Sequence, residues 1–409
     1  MTFRIDRLGH LGDGVAQGPD GPIFATGVLP GEEVDGTLTG DRLTDIRIVT
    51  PSTDRVKPPC RHARSCGGCQ LQHAADPFVA KWKEDVVRTA LAGQGLTAPF
   101  RPMAISPAHA RRRATLSARR TKGGVLLGFH AKGSDTITPI PDCQLLHPAL
   151  IAAFPGLEAL VSLGGSRTVE LQLMVTTTRG GVDVVVTGGK PLVDGDFRLE
   201  LSRVVEAHAF SRLTWDGETV ALRDRPAQTI GRATVVPPAG AFLQATAEGE
   251  AALLAGVREA LGPQRRVVDL FAGIGTFALP LAETMEVHAV EGDREMTAAL
   301  DLAARHTQNL HRLSTEARDL FRRPLEPDEL KGFTGAVIDP PRAGAEAQTA
   351  CLARSKIPVI AAVSCNPVTF ARDAKALTGA GYALDWVQVV DQFRWSTHVE
   401  LVARFSRSA

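Results

Sequence analysis

No stretch of the 409-residue chain is apolar for the roughly 20 consecutive residues that a bilayer crossing takes. The opening MTFRIDRLGHLGDGVAQG has no apolar core of the secretory kind. A cytoplasmic protein with no membrane partner is the expectation. Long internal repeats and low-complexity segments are absent as well. Charge of one sign is also missing, since 46 Lys and Arg stand against 45 Asp and Glu, a net charge of +1. That balance neither demands nor excludes nucleic acid, so local clusters must decide. A hydrophobic share of 44% with 22% charged residues is that of a soluble globular chain, and its length allows two or three domains.

Acid is missing locally too. Between Arg101 and Lys132 there are eight Arg and Lys residues and no Asp or Glu. They include Arg111, Arg112, Arg113, Arg119, Arg120 and Lys122. Such a run can neutralise phosphates while the whole protein stays near neutral, so Arg111, Arg112 and Arg113 are expected on RNA phosphates. The plainer reading is a solvated strand face.

Cysteine is scarce but uneven. Of six, three crowd into CRHARSCGGCQLQH with the spacing C-x5-C-x2-C: Cys60, Cys66 and Cys69. In a reducing compartment this points to metal rather than disulfides. The Gly67-Gly68 pair allows a tight wrap, and PIPDCQLLHP offers Cys143 as a fourth ligand. Four cysteines suit zinc or an iron–sulfur cluster, with His62 and His73 as competing ligands.

Three regions follow one another. Residues 1–52 are Gly-rich, with short alternating runs parted by turn signals such as GPDG and LPGEE, the pattern of a small β-barrel or sandwich. Residues 53–235 read as a mixed α/β region. There DPFVAKWKEDVVRTALAGQ forms a helix with Asp76 as N-cap, and Arg179-Gly180-Gly181 turns a hairpin. Residues 236–409 alternate strand and helix, a doubly wound α/β sheet.

That last region carries the chemistry. DLFAGIGTF sets Gly273 and Gly275 between a strand and a helix, where a backbone can approach a ligand closely. The next strand ends in AVEGD, placing Glu291 where a ribose-binding acid is expected. The third glycine of the dinucleotide fingerprint is missing, with Phe277 near its place, which favours S-adenosylmethionine over NAD. Asp339 of IDPPRAGA closes another strand, and Cys365 of VSCNPVTFARD closes a fourth. Cys351, in AQTACLARS, reads as a packing residue of a helix.

CRHARSCGGCQLQH, FLQAT, DLFAGIGTF, VEGD, IDPPRAGA, VSCNPVTFARD and HVELVARF together resemble the RNA uracil-C5 methyltransferases. These enzymes make 5-methyluridine in ribosomal and transfer RNA. The cysteine-rich loop is similar to that of the iron–sulfur members, chiefly the ribosomal RNA enzymes, and the N-terminal region to their TRAM barrel. The resemblance implies a C-terminal Rossmann-like class I methyltransferase domain, a TRAM-like barrel and a central α/β domain. It implies S-adenosylmethionine on Gln244, Phe271, Glu291 and Asp339, with Thr276 and Asp319 as looser matches. The family often has Asn where Thr276 stands. It implies Cys365 as nucleophile, Glu400 as base, and a cluster, 4Fe-4S in type, on Cys60, Cys66, Cys69 and Cys143. The expected partner is ribosomal RNA, met by a monomer. DQFRWSTHVE departs from the family's proline-containing run, with Arg394 and Trp395 in its place, and this change is expected at the substrate pocket. Two alternatives are a transfer RNA uridine-C5 methyltransferase and a non-catalytic iron–sulfur RNA-binding protein with a degenerate methyltransferase domain. A methyltransferase of another base or of a small molecule is a third, disfavoured by the Cys/Glu pair.

Overall fold

The computed structural model describes residues 2–18 and 20–407. Near the N-terminus, six short strands form one sheet in the order Thr2–Arg4, Glu33–Thr39, Arg42–Thr50, Gly21–Ala25, Gly14–Gly18, Arg7–Leu8. Ile5, Val28 and Val34 are among its buried residues. The turn expected at GPDG includes Pro19, which lies outside the described residues; the strands flanking it pair antiparallel.

A second sheet of seven strands spans Arg113–Thr121 through Glu218–Leu222. It contains the expected hairpin, where Thr178 faces Gly181. Helices Phe154–Gly164 and Gly195–Ala207 share its core with the fully buried Trp215.

The third sheet has eight strands in the order Leu313–Ala317, Glu286–Glu291, Arg266–Leu270, Gly335–Ile338, Val359–Ser364, Glu400–Ser406, Ala383–Asp391, Phe100–Ile105. The first five run parallel, while Glu400–Ser406 runs antiparallel to both neighbours. Val359–Ser364 is buried at every position because both faces of the sheet are covered, which explains its unbroken apolar run. Alternate side chains feed two cores. Val267, Val337 and Val363 pack with Leu253 and Val257 of helix Ala247–Leu261. Leu270, Ile338 and Ile360 pack with Leu352 of Glu346–Arg354 and Phe370 of Pro367–Gly379. Cys351 is buried on Glu346–Arg354, as a packing residue should be.

Two details differ from the sequence expectation. The eight-stranded sheet reaches across the boundary drawn at 235/236 and takes Phe100–Ile105 as its edge strand, parallel to Ala383–Asp391. Helix Asp76–Gly93 begins one residue earlier than expected, with Ala75 at the cap. Asp76 stands inside its first turn, and its carboxylate accepts from Arg394 at 2.6 Å rather than capping the backbone.

That helix also carries Lys83, whose side chain has no exposed surface. Its ammonium donates to Asp391 Oδ1 at 2.6 Å and to the Phe393 carbonyl at 3.0 Å. Removing one partner of a buried pair strands the other charge, at a cost of about 3–5 kcal/mol. Lys83→Ala should therefore lose about that much unfolding free energy in urea. A loss within the range of surface substitutions would mean that Asp391 finds water instead.

Candidate active site

The parallel strands all end on one edge of the sheet, and the order reverses at Arg266–Leu270, which lies between Glu286–Glu291 and Gly335–Ile338. Ligands of such sheets bind at this switch point. A cavity of about 600 Å³ lies there. All eight residues expected to bind cofactor or react line it: Gln244, Phe271, Thr276, Glu291, Asp319, Asp339, Cys365 and Glu400. Their sequence positions explain the convergence. Glu291 is the last residue of its strand, while Asp339 and Cys365 are the first residues beyond theirs. Glu400 opens a strand that runs the other way, so its start lies at the same edge.

Local chemistry shapes each loop. Gly273 and Gly275 have φ of 56° and 94°, and a Cβ at Gly275 would meet Leu300 at 2.4 Å, so this turn requires glycine. Glu291 accepts from the amides of Gly273 and Asp293, both at 2.9 Å, which leaves each oxygen a further lone pair. Phe271, itself at φ 65°, lies 5.4 Å from Phe321, and together they form an apolar wall. Asp319 accepts from the Phe321 amide at 2.9 Å. In the SCNP turn, Asn366 accepts from the Val368 amide as a helix cap and donates to the Arg342 carbonyl at 2.9 Å. The Cys365 turn is thereby tied to the DPPR loop.

Gln392, 1% exposed, bridges Gln244 and Glu400 and had no signal in the sequence. Its amide nitrogen donates to Gln244 Oε1 at 2.6 Å and to Glu400 Oε2 at 3.0 Å, and its oxygen accepts from the Ala245 amide. Gln244 in turn faces Asp339 at 3.5 Å. Phe393 and His398, 5.5 Å apart, also line the cavity without having been expected. Arg394 and Trp395, expected at the substrate pocket, do not themselves line it. Trp395 is buried in the core of the seven-stranded sheet.

The cavity floor is acidic, and its carboxyls are buried. Burial raises Asp339 to about 7, and burial with the neighbouring Asp339 raises Glu400 to about 8. Asp269, fully buried with both carboxyl oxygens unpartnered, is raised well above the carboxylate range by burial and by Asp339. Such a floor accommodates a ligand that brings positive charge, as a sulfonium does. Burial, with help from Glu400 and Asp339, pushes the Cys365 thiol up to about 11.

The expected phosphate-binding arginines behave differently. Arg112 pairs with Glu250, and Arg113 reaches the Gly240 carbonyl and lies 5.8 Å from the Phe242 ring. Arg101 pairs with Glu259, and Lys132 with Asp13. Their partners come from distant parts of the chain, so an acid-free run in sequence is not acid-free in space. Arg111 instead lines the cavity. Arg119, Arg120 and Lys122 have no ion pair among the described residues.

Cys60, Cys66, Cys69 and Cys143 line one small pocket with Phe129, Ile140 and Leu145. Amides of Gly68 and Leu145 point at the sulfurs of Cys66 and Cys143, each at 3.4 Å. Burial raises Cys69 to about 12. Among the described residues no three His, Cys, Asp or Glu side chains converge closely enough to hold a single metal ion. His62 bonds Asp142 at 2.6 Å, and His73 lies outside the pocket.

Unfolded, the carboxyls of Asp339 and Glu400 titrate near 4. Folded, they hold their protons more tightly. Their stabilising contribution is therefore full below about pH 4 and disappears as pH rises through about 7 and 8. The unliganded protein should melt at progressively lower temperature across that window, and Asp339→Asn should flatten the fall. A wild-type melting profile as flat as the variant's would show that Asp339 ionises freely.

A family model described as tRNA (Uracil-5-)-methyltransferase matches residues 233–407. An uncharacterized RNA methyltransferase of Brucella suis is 44% identical, over 98% of this chain and 96% of its own. The 23S rRNA (uracil(1939)-C(5))-methyltransferase RlmD of Halomonas elongata is 35% identical, over 97% of this chain and 87% of its own. The solved structure of Pyrococcus abyssi tRNA (uracil-54, C5)-methyltransferase with S-adenosyl-L-homocysteine superposes with a TM-score of 0.76 at 21% identity. It covers 99% of this chain and 100% of that one, a likeness of fold. With the family model matching its C-terminal part and relatives at 44% and 35% identity extending along nearly its full length, this chain belongs to the RNA uracil-C5 methyltransferase family.

Proposed function

We propose that this protein methylates C5 of a uridine in ribosomal RNA through a covalent bond between Cys365 and C6. The observation that carries the mechanism is the shared cavity in which Cys365, Glu400 and the acid-lined switch point meet. The choice of ribosomal RNA follows the 35% identical RlmD relative. The transfer RNA alternative has behind it the description of the family model over residues 233–407 and the fold of a 21% identical enzyme. The six free cysteines suit a cytoplasmic protein. The six-stranded N-terminal sheet fits a TRAM-like RNA-binding module.

Uracil C5 is a weak nucleophile. In this mechanism the Cys365 thiol gives up its proton and its sulfur adds to C6, opening the C5=C6 bond toward an enolate. With its thiol pushed up to about 11, Cys365 must give its proton to a base at the moment of attack; Asp339, at the same cavity, takes it and leaves Glu400 unprotonated for the later step. S-adenosylmethionine, held by Glu291, Gln244, Asp339 and the Phe271 wall with Thr276 and Asp319 beside them, supplies an electrophilic methyl group. Glu400 then removes the C5 proton, the C6–S bond breaks, and Cys365 leaves as thiolate. Gln392 holds Glu400 through the proton transfer.

The order of steps separates the two residues. Cys365→Ala should give neither 5-methyluridine nor adduct. Glu400→Gln should accumulate RNA joined to protein, surviving denaturing gels and decaying over a time course. Mapping 5-methyluridine in ribosomal and transfer RNA, with and without the gene, reads the substrate. Normal turnover by Glu400→Gln would remove it as the base. Normal methylation by Cys365→Ala would end the covalent mechanism.

Four thiols lining one small pocket have the donor chemistry that an iron–sulfur cluster takes. Cys60, Cys66, Cys69 and Cys143 would hold it. No step of methyl transfer needs an electron, so its part is structural. Anaerobically purified protein should contain iron and sulfide. Stoichiometric zinc without iron would reject the cluster.

A further inference from the structure

Residues 391–400 carry Gln392, Phe393, His398 and Glu400, yet all but the last lie outside regular strand after Asp391. A segment without its own ladder must be held by its neighbours. Lys83 holds its start through Asp391 and the Phe393 carbonyl. Arg394 donates to Asp76 at 2.6 Å and to the Ser106 carbonyl at 3.3 Å. The third hold is the unusual one. The Trp395 carbonyl accepts from two amides, Gln70 and Leu71, both at 2.9 Å. These are the two residues directly after Cys69.

Trp395 is built to make that contact. Its φ of 59° is left-handed, a conformation that strains a residue with a side chain. Its indole is 6% exposed and packs in the same core as Cys143, Leu145 and Leu146, while the Arg394 guanidinium lies 4.9 Å from its ring. The indole thus anchors in the core that holds Cys143, and the carbonyl takes the amides following Cys69.

We propose that Trp395 is a positioning residue that ties the cysteine loop to the segment bearing Glu400, so that the state of the four-thiol site sets the alignment of the base. When the thiols are held together, residues 66–71 are fixed, and with them the turn that leads to His398 and Glu400. When they are released, the two amides move and the turn loosens. The inference rests on the proposed roles of Glu400 and the thiol site, but the contact can be read without RNA.

The test compares wild type, Trp395→Ala and Trp395→Phe, each purified with its metal, by amide hydrogen exchange and by single-turnover methylation. Trp395→Ala should exchange faster at both 66–72 and 391–400. Its methylation rate should fall by about 10–100-fold, the size of a 1 Å misplacement of a reacting group, with unchanged affinity for S-adenosylmethionine. Trp395→Phe should restore most of both. Stripping metal from wild type with a chelator should speed exchange at 391–400, and the same treatment of Trp395→Ala should add little there. If Trp395→Ala does not fold, Gln70→Pro removes one clamping amide with the indole in place and should give the same paired change. Faster exchange near the cysteines with normal exchange and rate at 391–400 would overturn the proposal. So would metal removal that leaves 391–400 undisturbed in wild type. A wild-type protein that makes no 5-methyluridine would instead defeat the functional reading, with the exchange experiment still deciding the contact.

Discussion

Buried carboxyl groups dominate the energetics of this site. Asp269, Asp339 and Glu400 lie together at the switch point, and burial pushes all three toward their protonated forms. A low-dielectric site that gathers acids is unfavourable for its empty, ionised state and favourable for a cation. The fold concentrates them there because the ends of two parallel strands and the start of one antiparallel strand meet at one edge. The structural cost falls where the chemistry is, as expected of strain and desolvation kept at functional sites.

The neighbouring polar groups make that concentration tolerable. Gln392 donates both amide hydrogens, one to Gln244 and one to Glu400, and accepts one backbone amide, so its own hydrogen-bonding capacity is largely used. Lys83 neutralises Asp391 at the base of the same segment. The result links a cofactor-side glutamine, the proposed base and the loop between them in one network. Partly satisfied buried networks are unstable, while filled ones fix a single geometry.

The N-terminal sheet also meets this segment. A Cβ on Gly12, at φ 82°, would meet the Thr397 methyl at 2.7 Å, and Lys132 reaches Asp13 at 3.0 Å. The three sheets therefore touch near residues 394–397. This is the stretch in which Arg394 and Trp395 replace the proline-containing run that the resemblance led one to expect, and the replacements serve contacts between sheets rather than the cavity wall.

Much was legible in the residues themselves. Gly273 and Gly275 announce a turn that only glycine can make, and an unbroken apolar run such as VIAAVS announces a strand covered on both faces. Period and turn chemistry are local, so a linear sequence carries them. Cys365 and Glu400 could be singled out because they sit in the short motifs SCNP and HVE, whereas Gln392, which bonds Glu400, carried no such mark. What only the tertiary structure decided is pairing across distance. Arg112 looked free until Glu250 arrived from helix Ala247–Leu261, Asp76 left its cap position for Arg394, and Phe100–Ile105 joined a sheet whose other strands lie more than 150 residues further on. Charge and edge-strand partners are chosen by proximity in space, and proximity between distant segments exists only once the chain has folded.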